Sequence, residues 1–280
     1  MLKLGWFSSG RGEGSRRLLQ AVQQHIISGD ITSKISFVFC NREPGESEQT
    51  DLFIELVHSY DIPLICFSSK KFKEKLSADN NRDYNSPATL TSQHTGTISN
   101  GDINPSQQRW RILYDRELEK RIKNFSADIC VMAGYMLIVG EELCQHYTMI
   151  NLHPAAPGGP VGTWKEVMWK LIEEQAEEAG AMMHLVTPEL DKGPVISYCL
   201  FPIKGMPFDP YWDKGDRESL FTLIRQHELA REFPLIISTI KALSRRDISV
   251  ENGRVINAHG EIIHGYDLSK EIDKLISETG

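Results

Sequence analysis

Asn151 and His153 stand two residues apart in Met149-Ile150-Asn151-Leu152-His153-Pro154, a β-rich run followed by the glycine- and proline-dense loop Ala155-Ala156-Pro157-Gly158-Gly159-Pro160. In an extended segment, residues two apart point to the same side. The amide and the imidazole therefore project together at the carboxyl end of a strand. Asp191 lies beyond the next apolar run, in Leu190-Asp191-Lys192-Gly193-Pro194, where an Asp-x-Gly-Pro turn can carry it back toward the same crevice. An amide, an imidazole and a carboxylate form an acyl-transfer set. The amide N–H can donate to a developing oxyanion, the carboxylate can orient the imidazole, and the imidazole can donate or move a proton. A lone histidine at a strand end more often just bonds backbone, and it is the company of Asn151 and Asp191 that makes His153 a catalytic candidate. His184, between apolar residues of the following run, reads as support for the site.

A second constellation is Ser8-Ser9-Gly10-Arg11-Gly12-Glu13-Gly14-Ser15-Arg16, directly before a helical pattern. The glycines let the backbone turn sharply and bring its N–H groups near an anion, and the helix start adds a favourable dipole. Ser15, Arg11 and Arg16 offer further donors. A phosphate fits; the bland alternative is a turn without a ligand. Ser15 stands where a dinucleotide fingerprint needs its third glycine, and no Gly-Lys-Ser/Thr follows as a P-loop would require.

The elements that must hold these groups alternate. Short apolar runs at Leu2–Phe7, Ile35–Cys40, Leu64–Phe67, Ile129–Ala133 and Met149–Leu152 are expected strands. Arg16–Ile27, Asp51–Ser59, Ile112–Asn124 and Glu141–His146 carry helical periodicity. The alternation predicts an α/β fold, an open, doubly wound, mostly parallel twisted sheet, with ligands at the carboxyl ends of its strands. A long helix near Trp164–Glu178, strands at Ala181–Thr187 and Pro194–Ile203, and a helix at about Arg217–Leu243 follow. Residues 76–109, rich in Ser, Thr, Asn and Gly, read as a polar surface insertion in one domain spanning 1–245. Residues 246–280 read as a hairpin, turning at Asn257-Ala258-His259-Gly260, and a helix packed on the same domain.

Composition narrows the function classes. A net charge of −7 argues against nucleic acid, and no apolar run approaches the roughly 20 residues that span a bilayer. The five cysteines are scattered without a C-x-x-C pair, which fits buried thiols rather than a metal site. A cytoplasmic protein, monomer or homodimer, acting on small molecules is expected.

Asn151-x-His153-Pro154, followed by Gly180-Ala181-x-x-His184-x-Val186 and Leu190-Asp191-x-Gly193-Pro194, resembles the formyltransferase family. The glycine loop, Tyr114-Asp115-Arg116-Glu117-Leu118 and Met132-Ala133-Gly134-Tyr135-Met136 extend the resemblance over most of the chain. It implies a Rossmann-like fold and transfer of a formyl group from 10-formyltetrahydrofolate to the amine of a phosphorylated acceptor, above all glycinamide ribonucleotide of purine synthesis, with no metal. Formylation of another amine such as an amino sugar, hydrolysis of the same carrier, and folate or nucleotide binding without catalysis are the alternatives. By the resemblance, Asn151 and His153 would stabilise the oxyanion and Asp191 would help move the amine proton. Arg11, Gly12, Glu13, Gly14, Ser15, Arg16 and Pro154 would hold the acceptor, with Glu228 against its sugar. Arg111, Met136, Leu137, Ile138, Val139, Leu185, Val186 and Leu190 would line the folate slot. The chain departs from the family in Ala155-Ala156-Pro157-Gly158, where Ser-Leu-Leu-Pro is usual, and that loop borders both ligands.

Overall fold

The computed structural model describes residues 1–83 and 105–279. Among them, eight strands form one sheet: β1 (Leu2–Ser8), β2 (Ser33–Cys40), β3 (Leu64–Cys66), β4 (Ile129–Met132), β5 (Met149–His153), β6 (Glu178–Leu185), β7 (Val195–Pro202) and, after the small sheet, β11 (Tyr266–Asp267), in the order β11-β7-β6-β5-β4-β1-β2-β3. Strands β3 to β5 of that order are parallel to β1, while β6 is antiparallel to both β5 and β7. The near-continuous apolar character of β1, β2 and β4 follows from cover on both faces. On one face α1 (Glu13–Ile27) and α8 (Arg217–Arg245) bury Leu19, Val22, Leu235 and Ile240 against Trp6, Val38 and Met183. On the other, Tyr114 and Leu118 of α4 (Pro105–Ile122) and Leu143 of α5 (Glu141–His146) meet Phe7, Phe37, Phe39 and Met132. The doubly wound, mostly parallel sheet is as the sequence predicts.

The chain lays β1, β2 and β3 outward in one direction and then returns to place β4 on the far side of β1. Between β1 and β4 the strand order reverses, and an open α/β sheet has its ligand crevice at the carboxyl ends of such a pair. The loops leaving these strands are tied together there: Ser9 N donates to Gly134 O at 3.1 Å and Met136 N to the Ser9 hydroxyl at 3.0 Å.

Several expectations need correction. The helix expected at Trp164–Glu178 is α6 (Trp164–Glu173), and Glu178 already opens β6. Glutamates at 173, 174, 177 and 178 crowd negative charge at the carboxyl end of the helix dipole, and Gln175 breaks the turn with φ of 51°. The expected polar insertion is entered from both sides by helix, α3 (Ser69–Asp83) and α4, and its remainder, 84–104, lies outside the described residues. The tail carries more strand than one hairpin. β8 (Ile248–Glu251), β9 (Arg254–Asn257) and β10 (Ile262–Ile263) form a small antiparallel sheet, with Asn252-Gly253 in left-handed conformation at the first turn. α9 (Ser269–Thr279) then packs Ile272 into the core beside α8, where Arg231 pairs with Asp273 at 2.7 Å.

Candidate active site

The catalytic candidates converge. Asn151 faces His184 across the β5–β6 pairing, and His153 faces Met182, so all four side chains share one face of the sheet. The loop after β6 then folds back over that face. It can do so because Gly193 lies against the Leu185 carbonyl so closely that a Cβ would fall 1.7 Å from that oxygen. Asp191 takes φ of 54°, a left-handed conformation that costs a non-glycine residue about 1–3 kcal/mol and that aspartate tolerates better than most. The result puts Asp191 Oδ2 3.6 Å from His153 Nδ1 and Asp191 Oδ1 3.6 Å from His184 Nε2. Both are too long for hydrogen bonds, and each becomes an ion pair only when its imidazole is protonated. His153 and His184 are buried, with ring centroids 6.0 Å apart and edge to face.

Hydrogen bonds fix the roles of the rings. His184 Nδ1 donates to the Leu185 carbonyl at 2.8 Å, so in the neutral ring Nε2 is an acceptor. Asn151 Nδ2 stands 3.4 Å from that acceptor, which turns the amide so that its N–H groups, not its oxygen, face the imidazole. Burial depresses the His184 pKa, so the neutral form that orients Asn151 is the favoured one. His153 Nε2 donates to the Pro160 carbonyl at 3.3 Å, so the loop that departs from the family pattern touches the imidazole directly. The second, positioning role of His184, toward Asn151 and Asp191 at once, is stronger than its sequence context indicates. Only the antiparallel register of β5 and β6 reveals it.

The glycine loop expected to hold an anion joins β1 to α1. Gly10 takes φ of 55° over the Phe53 ring, and Gly12 is the N-cap of α1 without any side-chain cap, so the first-turn N–H groups of the helix are left to external acceptors. Arg11 is exposed, Arg16 donates to Gln49 Oε1 at 2.6 Å, and the Ser15 hydroxyl lies against Gly134. Glu13 can contribute its backbone N–H alone, since its carboxylate would repel an anion.

The remaining expectations divide. Met136 and Leu190 are exposed apolar side chains at 63% and 52%, and Leu137, Ile138, Val186, Pro154 and Arg111 are half-buried. Val139 does not line a slot with its side chain. It is buried with Tyr114 and Leu143 in the second core cluster, because the loop turns inward to reach α5. Leu185 is likewise buried, and its backbone is committed as well, the amide donating to the Pro194 carbonyl at 2.8 Å and the carbonyl accepting from His184. Glu228 is fully buried on α8, where Arg225 pairs with it, and burial followed by the neighbouring Glu232 raises its pKa to about 8. It is not placed to meet a sugar. A residue not singled out for the site, Asp115, anchors the end of the loop that follows β4: it accepts from Gly140 N at 2.6 Å, and burial pushes its pKa up to about 6.

The family model described as formyl transferase matches residues 6–206. The chain belongs to the formyl transferase family. Among curated formyl transferases it is 34% identical over 134 residues to phosphoribosylglycinamide formyltransferase of Escherichia coli, covering 46% of this chain and 56% of that protein. It is 30% identical over 141 residues to the Saccharomyces cerevisiae protein of the same name, covering 47% and 64%. The matched stretch thus spans just over half to about two thirds of these relatives' length. In fold it is similar to the phosphoribosylglycinamide formyltransferase of Coxiella burnetii, with a TM-score of 0.61 at 20% identity over 95% of this chain and 98% of that one. A formyltetrahydrofolate deformylase from Pseudomonas syringae shares the fold at a TM-score of 0.57 and 18% identity, over 91% and 65% of the two chains. Among the described residues no helix is long and apolar enough to cross a membrane, and no His, Cys, Asp or Glu cluster could hold a metal ion.

Proposed function

We propose that this chain transfers a formyl group from 10-formyltetrahydrofolate to the amine of a phosphorylated acceptor, glycinamide ribonucleotide. The observation that carries the reading is the convergence of Asn151, His153 and Asp191 on one face at the carboxyl end of β5. When the amine attacks the formyl carbon, negative charge grows on the formyl oxygen. The Asn151 amide, held by His184, can donate to that charge, and so can the buried His153 Nε2–H by exchanging the Pro160 carbonyl for the oxyanion. Asp191, between the two imidazoles, is the group placed to take up the proton that the amine sheds. One observation supports folate as the carrier: Met136 and Leu190, in the loops that follow β4 and β6, expose apolar surface that a flat ring would cover.

The same centre could pass the formyl group to water. That reaction has no use for an anion site, whereas this chain places an uncapped helix N-terminus and Arg11 and Arg16 beside the crevice. The relatives named phosphoribosylglycinamide formyltransferase support the same choice. Steady-state assays with 10-formyltetrahydrofolate and glycinamide ribonucleotide, an unphosphorylated amine, or water alone test it. Turnover dependent on the phosphorylated acceptor is expected; equal turnover without any amine would overturn the proposal in favour of hydrolysis.

A further inference from the structure

We infer that Arg42 is a further acceptor-binding residue, its guanidinium meeting the phosphate monoester held at the glycine loop. The inference rests on the reading of that loop as a phosphate site. The connection from β2 to α2 (Glu48–Ser59), Asn41-Arg42-Glu43-Pro44-Gly45-Glu46-Ser47, was not absorbed by the reaction centre. Its polar groups are mostly committed to its own shape. Glu43 accepts from Ser68 N at 3.2 Å and from Lys71 Nζ at 2.8 Å, Glu43 N donates to Glu46 Oε1 at 3.0 Å, and Gly45 N donates to Asp51 Oδ1 at 2.7 Å. The loop is therefore a built support, and what it supports is Arg42.

Arg42 Nη1 donates to the hydroxyls of Ser47 and Thr50 at 3.2 and 3.3 Å. Thr50 in turn donates to the carbonyl of Gly10, inside the glycine loop, at 3.3 Å. The backbone closes the same contact, since Asn41 N donates to Ser8 O. One guanidinium nitrogen is thus clamped through neutral hydroxyls to the loop. The Nε and Nη2 edge is the part of the fork that can meet two phosphate oxygens in a plane. Among the described residues no carboxylate forms an ion pair with Arg42, whereas Glu43 of the same loop is matched to Lys71. An uncompensated, half-buried cation beside an uncapped helix N-terminus is what a dianion needs, and a residue serving only to brace the loop would not require a charge.

Isothermal titration of the full chain with inorganic phosphate, for wild type, R42Q and R42K, decides between these roles. R42Q keeps an N–H donor for the two hydroxyls but removes the charge. We expect it to bind phosphate roughly tenfold more weakly, with R42K recovering part of the loss, while affinity for a non-reactive folate stays unchanged in both. Phosphate affinity within twofold of wild type in R42Q and R42K would overturn the inference while leaving the phosphate loop intact. Wild type failing to bind phosphate, or to be displaced from it by a phosphorylated acceptor, would overturn both. Loss of folate affinity along with phosphate affinity would assign Arg42 to bracing the loop instead.

Discussion

The two working regions of the crevice solve opposite problems. Around His153 the polar groups are buried and answer one another: Asn151 to His184, both imidazoles to Asp191, His153 to the Pro160 carbonyl. Around Gly12 they face out more, as backbone N–H groups without a side-chain cap, the exposed Arg11 and the half-buried Arg16. A buried centre suits chemistry, because fixed donors in a low dielectric need no reorganisation as charge develops. An open, cationic loop suits capture, because a strongly hydrated anion must be met by several donors at once. The comparison predicts that damage to the first region appears in turnover and damage to the second in affinity.

Four substitutions follow, three of which test that division. The largest effect is expected from H153A and N151A, each lowering kcat by roughly 10²–10⁴-fold with acceptor KM little changed. A loss confined to KM would place these residues in binding rather than chemistry. Next, R16A should raise acceptor KM by about tenfold with kcat preserved, since one charge-assisted contact is removed; an unchanged KM would detach Arg16 from the acceptor. The smallest concerns neither region but the Asp115 anchor of the Gly140 backbone. Its pKa in the fold, about 6, lies above its ordinary value of 3.8, so the folded chain holds the proton more tightly than the unfolded one. That contribution to stability is full below about pH 4 and is lost as pH rises through 6, on the order of 2–3 kcal/mol in all. In D115N it should vanish, flattening the thermal midpoint between pH 4 and 7. An undiminished slope would place the dependence on other groups.

Much of this was legible in the residues. The period-two placement of Asn151 and His153 needs only that their segment be a strand, whereas the helix read from Arg16 begins at Glu13, taking Gly14 and Ser15 into its first turn. Asp191 was legible through Asp-x-Gly-Pro, though the left-handed turn that delivers it depends on how closely Gly193 can approach Leu185. What escaped depends on depth and register. Helical spacing says which face Glu228 shares with its neighbours but not that Arg225 and the β-sheet close over it, and Val139 in an apolar loop gives no sign of which way it turns. The link of His184 to Asn151 requires knowing that β6 runs antiparallel, which local sequence does not encode. A two-residue strand such as β11 is too short to show any periodicity.

That short strand bears on synthesis. β11 joins β7 through residues 266 and 267 alone, and Leu268 N and the Ser269 hydroxyl extend the seam to Tyr198 and Leu200. Until those residues leave the ribosome, β7 offers its unpaired amide and carbonyl row to any passing strand, the ordinary route to edge-to-edge aggregation. A sheet built before residues 266–269 are made is therefore built but unsealed, and this short seam is the latch that closes its edge.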